Sequence, residues 1–278
     1  MVDTHVHVVS DDRSRYPLRP TGVGRPWWGG TGRDAGGLVD EMGRAGVDRA
    51  LLVQPVGAYG YDNAYILDAV TLSGQRLAAV PAVDMDDRSA DDGEVASRIR
   101  HLAGRAGVVG VRLFAVAPGS SWAGDPARAR SAFAAAADSD LVLVLTLFPV
   151  HLEPLGPVLR QFPDVTVALD HCAFPELAGA RIPPDAPLLA LTDAPQVVLK
   201  VTSHLLLAAA AAGEPADLLS ALAGSFGTGR LLWGSDHPQT GDDYPGLLGL
   251  ARAAARALST EARGAFFGGN AARVFSAA

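Results

Sequence analysis

The chain has 278 residues, 49% of them hydrophobic and 19% charged, which is enough apolar material for one large core of the size of an α/β barrel. Its formal net charge of −7 argues against non-specific nucleic-acid binding and against a basic membrane-binding surface. The single cysteine, Cys172, excludes an internal disulfide framework and favours a reducing compartment.

The first residues, MVDTHVHVVSDDRSR, do not show the basic and then apolar pattern of a secretory signal. The longest apolar runs, 141–150 and 205–213, are too short to span a bilayer. Abundant Ala, Gly, Arg and Asp with a single lysine are typical of GC-rich bacterial coding. We therefore expect a soluble, cytoplasmic, bacterial protein.

The first predicted strand, 2–8, contains the sequence DTHVH. In a strand, side chains two residues apart face the same side, so His5 and His7 lie on one wall about 7 Å apart. Two imidazoles placed in this way can converge on a metal ion. The alternative is a pair of ordinary strand histidines.

A long irregular segment, 9–33, follows this strand and contains Trp27 and Trp28. It carries arginines at positions 13, 15, 19, 25 and 33 against two aspartates. Loops of this length are usually functional or disordered. Either it is a solvated loop, or it is a lid that lends aromatic and cationic groups to an anionic substrate.

From this point β-rich runs and helical patterns alternate along the chain. The predicted strands are 2–8, 48–53, 77–83, 108–114, 141–147, 165–170, 196–201 and 230–234. The predicted helices are 34–45, 62–73, 91–103, 126–138, 151–161, 204–223, 243–257 and 260–275. This alternation predicts a single domain, 1–278, folded as a (β/α)8 barrel. The alternative is an open doubly wound sheet, although no G-x-G-x-x-G follows the first strand.

Ionisable residues stand where the predicted strands end, which is where barrel enzymes carry their catalytic groups. Arg112 lies near the end of the fourth strand, Asp170 and His171 end the sixth, Lys200 ends the seventh, and Asp236 follows the eighth. Closure of a barrel makes the eighth strand a neighbour of the first. We therefore expect Asp236 to lie beside the two histidines of DTHVH.

Three histidines and a carboxylate suit a divalent ion such as zinc, with one position open for water. Asp236 could then orient that water or accept its proton. Each residue also has a structural interpretation: His171 as a strand end bonded to the backbone, Asp236 as a helix N-cap. Arg112 could bind a substrate carboxylate or pair with a structural acid, and Lys200 could have a buried role.

Several motifs in order resemble the amidohydrolase superfamily, and more narrowly its amidohydrolase-2 branch: DTHVH, GVDRALLVQP, GVRLF, LDHCAFP, KVTS, LLWGSDHP and the terminal FFGGNAARVF. That branch includes sugar lactonases, 2-pyrone-4,6-dicarboxylate lactonase-like hydrolases and aromatic-acid decarboxylases. The resemblance covers essentially the whole chain. It implies a distorted (β/α)8 barrel acting on acyl or carboxyl substrates, with His5, His7, His171 and Asp236 as both catalytic residues and metal ligands.

One position departs from the family pattern. The metal-dependent decarboxylases of the branch carry a histidine at the end of the fifth strand, where this chain reads LVLVLTLFP with Thr146 near that place. The departure leaves open whether a single divalent ion, zinc or manganese, is bound. It also favours hydrolysis over decarboxylation.

The sequence thus predicts a hydrolase that opens a small, carboxylate-bearing lactone or related cyclic ester. Its predicted substrate-binding residues are Arg112, Lys200, Trp27 and Trp28. The alternatives are a metal-dependent decarboxylase or lyase on a related acid, and a repurposed barrel that only binds a metabolite. The expected partner is a small anionic molecule, and the apolar segment 205–212 is a candidate homodimer surface.

Overall fold

Parallel strands form a barrel in the computed structural model, which describes residues 1–24, 26–29, 34–117, 119–241 and 243–275. All the predicted strands are present, and the (β/α)8 prediction is confirmed. The strands are β1 (Val2–Val6), β2 (Arg49–Val53), β3 (Leu77–Val80), β4 (Ala82–Val83), β5 (Gly110–Phe114), β6 (Val142–Thr146), β7 (Val167–Leu169), β8 (Val197–Thr202) and β9 (Leu231–Gly234).

The third predicted strand, 77–83, is broken by Pro81 into β3 and β4. Proline has no N–H to donate to a ladder. Its carbonyl still accepts a 2.7 Å hydrogen bond from the backbone N–H of Arg112, and Ala79 exchanges backbone bonds with the segment 107–109. The break therefore divides the hydrogen-bonded ladder into two sheets without opening the barrel.

The barrel closes between β1 and the residues that follow β9. The backbone N–H of Asp236 donates to the carbonyl of His5 at 2.7 Å, and that of His7 donates to the carbonyl of His237 at 2.8 Å. The hydroxyl of Thr4 also donates to the carbonyl of Trp233 at 2.6 Å. This closure brings the first and last strand ends of the sequence side by side, as expected.

Helices cover the outside of the barrel: α1 (Ala35–Ala45), α2 (Val56–Tyr59), α3 (Ala64–Leu72), α4 (Asp92–Ala103), α5 (Pro126–Asp138), α6 (Leu152–Gln161), α7 (Ser203–Ala212), α8 (Pro215–Phe226), α9 (Tyr244–Ala254), α10 (Thr260–Gly264) and α11 (Asn270–Val274). The prediction of one helix over 204–223 was wrong. Gly213 ends α7, and Pro215 begins α8 at an angle of 119°. Proline is favoured at the first position of a helix and glycine just past its end.

Among the described residues, no single helix is long and apolar enough to cross a membrane. Only the bent pair α7 and α8, taken together, has the length and composition for it.

The interior of the barrel is filled by side chains in layers. An apolar layer includes Val53, Val80, Val144, Ala168 and Val198. Because side chains alternate between the two faces of a strand, the inward-facing position two residues further along each strand lies one layer closer to the C-terminal end. In β6, in β8 and directly after β7 those positions hold Thr146, Lys200 and Asp170, and this is where the candidate site begins.

Candidate active site

His5 in β1 and His7 directly after it project into the barrel and face each other. Their Nε2 atoms lie 3.3 Å apart, and both side chains are buried. Each ring is fixed by its other nitrogen. His5 Nδ1 lies 3.0 Å from Asp170 Oδ1, and His7 Nδ1 lies 2.8 Å from the carbonyl oxygen of Val53. A carboxylate and a carbonyl can only accept, so both Nδ1 atoms carry the proton and both Nε2 atoms present lone pairs.

Asp236 faces this pair from the end of β9. Its Oδ1 lies 3.5 Å from Nε2 of His5 and 3.4 Å from Nε2 of His7. Its other oxygen accepts a hydrogen bond from the hydroxyl of Thr240. Burial alone would raise the pKa of Asp236, but the imidazoles of His171, His5 and His7 hold it below its usual range. Asp236 is therefore ionised at neutral pH.

His171 enters from the end of β7 on an unusual turn. Its φ is 54°, and the next three residues, Cys172, Ala173 and Phe174, have φ values of 52°, 62° and 51°. The left-handed conformation costs about 1–2 kcal/mol for each residue other than glycine. Strain of this kind is concentrated at functional sites, where the surrounding structure holds it.

The turn brings the ring of His171 to 4.8 Å from that of His5, measured between centroids. Nδ1 of His171 lies 2.7 Å from the hydroxyl of Thr202. Burial lowers the pKa of His171 to about 3 and that of His5 to about 4, although Asp236 and Asp170 oppose the effect. Both imidazoles are therefore neutral at pH 7, which is the form that ligates metals.

These groups fit a divalent metal ion. One nitrogen or oxygen from each of His5, His171 and Asp236 lies within 4.8 Å of the other two, and all three side chains are buried. His7 adds a further Nε2 at the same place. Oδ1 of Asp236 is buried and has no hydrogen-bond partner among the described residues, which leaves this oxygen available to a cation. The donor set of imidazole nitrogen and carboxylate oxygen suits zinc.

Asp170 is the centre of a buried charge cluster below the histidines. Its Oδ1 lies 3.1 Å from Nζ of Lys200, and its Oδ2 accepts from Nε of Arg112 at 3.1 Å and from the hydroxyl of Thr146 at 2.6 Å. Burial would raise the pKa of Asp170, but His5, Lys200 and Arg112 hold it well below the usual range. The cluster thus holds the charge that fixes the tautomer of His5.

The structure gives the two predicted substrate-binding cations partners inside the protein. Lys200 is fully buried against Asp170, and Arg112, which is 4% exposed, binds Asp170, Thr146 and the carbonyl of Gln54. Thr146, at the place of the absent histidine, is likewise held by hydrogen bonds to Arg112 and Asp170. These positions favour a supporting role for both cations over direct contact with a substrate.

The two tryptophans of the 9–33 segment have different surroundings. Trp27 stacks over His7, with ring centroids 6.1 Å apart, and so lies at the site. Trp28 is buried against Tyr59 and anchors the segment to the barrel. A Cβ at Gly57 would lie 2.9 Å from the ring of Trp28, so only glycine fits beneath this anchor. Trp27 thus remains a candidate for substrate contact, and Trp28 supports it.

The described arginines of the segment also have partners within the protein. Arg13 donates to the carbonyl of Trp28 at 3.4 Å, Arg15 pairs with Asp68 at 2.7 Å, and Arg19 lies 3.7 Å from Asp62. Arg25 and Arg33 lie outside the described residues. Arg15 and Arg19 thus lie beside carboxylates, whereas Arg13 contacts a carbonyl oxygen and its buried Nη1 has no hydrogen-bond partner among the described residues.

Sequence reasoning did not assign roles to three residues of this region. Asp3 accepts backbone hydrogen bonds from His5 and Ser235 and a hydroxyl bond from Tyr244, and its burial raises its pKa to about 6. Asp170 was placed at a strand end without a role. His204 is the second residue of α7 and lies beside His171. The only local signal for any of them was position next to a strand end.

Comparison with known proteins agrees with this geometry. The model of the amidohydrolase family matches residues 2–277. The L-fucono-1,5-lactonase of Burkholderia ambifaria is 29% identical over 227 residues, which cover 76% of this chain and 74% of that protein.

Two solved structures have the same fold. One is an amidohydrolase from Burkholderia multivorans with bound zinc, with a TM-score of 0.70, 21% identity and coverage of 99% of this chain and 98% of the other. The second is a probable 2-pyrone-4,6-dicarboxylic acid hydrolase from Acinetobacter baumannii with citric acid bound. Its TM-score is 0.69 at 19% identity, again over 99% and 98% of the two chains.

Proposed function

Because the chain belongs to the amidohydrolase family, we propose that it is a hydrolase that opens a small lactone by attack of water at the C-terminal mouth of the barrel. One observation supports this most directly. Asp236, ionised and buried, lies 3.4–3.5 Å from the lone-pair nitrogens of His5 and His7, with His171 beside them. This is a base placed next to groups that can hold an electrophile or a metal.

Each of these residues has a separate role in the opening of the ester. Asp236 accepts a proton from water as the water oxygen attacks the lactone carbonyl carbon. The same proton is then delivered to the ring oxygen as the acyl–oxygen bond breaks, which gives an open-chain hydroxy acid. When bound by His5, His171 and Asp236, a divalent ion supplies Lewis acidity at this place. Trp27 and the buried walls limit the access of bulk water.

We further propose a neutral, hydroxylated lactone in place of the carboxylate-bearing ring that the sequence favoured. Arg112 and Lys200 both lie against Asp170 inside the barrel, and Arg15 and Arg19 of the 9–33 segment lie beside carboxylates. A free carboxylate usually needs a cation aimed at it. The relative from Burkholderia ambifaria, by its name, acts on a sugar lactone.

The proposed function is tested by offering the purified protein three probes. These are L-fucono-1,5-lactone, 2-pyrone-4,6-dicarboxylate and 2,6-dihydroxybenzoate, with acid release followed by a pH indicator and carbon dioxide measured separately. Acid release from the neutral lactone is the expected result. Faster opening of the dicarboxylate would show instead that the preferred substrate carries a carboxylate. Carbon dioxide release without lactone opening would make the protein a lyase, and binding without turnover would make it a repurposed barrel.

We expect the purified protein to contain about one equivalent of zinc or manganese per chain, measured by elemental analysis. The variant His5→Ala should lose most of the metal, because the ion would then have one protein ligand fewer. His101→Gln, a change of an exposed histidine, is the matched control and should keep the metal. A metal-free wild type whose lactone opening is unaffected by a chelator would contradict this prediction.

A further inference from the structure

One imidazole at the mouth has no role in the mechanism above. His204 lies in the first turn of α7, directly after the end of β8, and its side chain is exposed. Its ring centroid is 5.5 Å from that of the buried His171, at an interplanar angle of 68°. It therefore stands at the border between the buried site and solvent, on the side of His171.

Phe174 completes this part of the wall. Its ring lies 4.6 Å from that of His171, 5.5 Å from that of His204 and 5.5 Å from that of Phe148, which is 43% exposed. Phe174 is the last of the four consecutive left-handed residues, so its place beside His171 is held at the expense of backbone strain. The result is an aromatic wall formed by Phe148, Phe174 and His204.

The ring nitrogens of His204 have no hydrogen-bond partner among the described residues. Among the described residues, His204 makes ring contacts with His171 and Phe174, but none of them forms a hydrogen bond or ion pair with its nitrogens. The neighbouring His151 differs, because its Nδ1 accepts a 3.1 Å hydrogen bond from the backbone N–H of Phe148. His204 thus keeps both ring nitrogens available for another molecule.

We propose that His204 is a substrate-binding residue that hydrogen-bonds a hydroxyl of the lactone ring while Phe174 packs against the C–H face of the ring. The inference rests on the proposed lactonase function and deepens it. An imidazole both donates and accepts, which matches a hydroxyl. An aromatic ring beside it adds apolar contact area for the ring carbons. Together they select hydroxylated rings over bare ones.

The test compares two lactones and three variants. The probes are L-fucono-1,5-lactone and δ-valerolactone, which lacks ring substituents. We expect His204→Leu to lower kcat/KM for the hydroxylated lactone about ten- to a hundredfold, mostly through KM, because a ground-state hydrogen bond is lost. Turnover of δ-valerolactone should stay within about twofold. His204→Asn, which keeps donor and acceptor, should recover part of the loss, and His101→Gln, at an exposed histidine outside this wall, is the matched control.

The probes distinguish a failure of the proposed role of His204 from a failure of the proposed lactone hydrolysis. Equal losses with both probes, or no loss with either, would overturn the binding role of His204. A wild type that opens δ-valerolactone but not the hydroxylated lactone would overturn it as well. A wild type that opens neither of these lactones nor 2-pyrone-4,6-dicarboxylate would overturn the proposed function itself, a result that needs no variant. Since His204 is exposed, thermal melts of the variants should match the wild type.

Discussion

Replacement of Asp236 by asparagine is expected to lower kcat for lactone opening by about 10²- to 10⁴-fold, the contribution of a well-placed general base. An amide has the shape of the carboxylate and can still accept from Thr240, but it cannot take a proton from water. It also removes a negative charge from the group His5, His171 and Asp236, so metal content should fall together with activity.

The measurement is steady-state kinetics with the neutral lactone, alongside elemental analysis and a circular dichroism melt. Asp193→Asn, at an exposed carboxylate away from the histidines, is the control and should behave as the wild type. Normal turnover by Asp236→Asn would remove this residue from the mechanism. A loss of activity with an unfolded circular dichroism spectrum would show instead that Asp236 is needed for the fold.

Replacement of Asp170 by asparagine is expected to produce the largest loss of stability. It leaves the buried side chains of Lys200 and Arg112 without their counter-charge, and breaking a buried ion pair by removing one partner costs about 3–5 kcal/mol. It also removes the acceptor that fixes His5 Nδ1, so the residual folded enzyme should be slow.

The free energy of unfolding from urea titration measures the effect. Asp138→Asn, which disrupts an exposed pair with Arg100, is the matched control and should cost less than about 1 kcal/mol. Adding Lys200→Met to the Asp170→Asn background should recover part of the loss, because it removes one stranded charge. If Asp170→Asn unfolds at the same urea concentration as the control, the cluster does not stabilise the barrel.

The convergence of His5, His7, His171 and Asp236 was predictable because its signals are local. A strand alternates its faces every residue, so H-x-H alone puts His5 and His7 on one wall. In a parallel barrel the strand ends meet at one mouth, so His171 and Asp236 could be assigned from position along the chain. Their proximity in the structure follows from the closure of the barrel between β1 and β9.

Partner choice among buried charges was not predictable from the sequence. Lys200 and Arg112 belong to β8 and β5, and both point at Asp170, which follows the intervening β7. A local sequence pattern does not predict which acid a buried cation pairs with, because the pairing depends on the register of several strands. The sequence therefore left open whether Arg112 and Lys200 meet a substrate or a structural acid, and the structure places both against Asp170.

The alternation of strands and helices, and with it the barrel and the placement of the histidines, is thus determined by the sequence through short-range periodicity. The tertiary structure alone decided which of the adjacent Trp27 and Trp28 faces His7, and which of them anchors the loop. It also decided that Phe174 and His204 share a wall, since a strained left-handed turn and a helix start converge there. Contacts between segments distant in sequence depend on how the whole chain packs, so local propensity does not predict them.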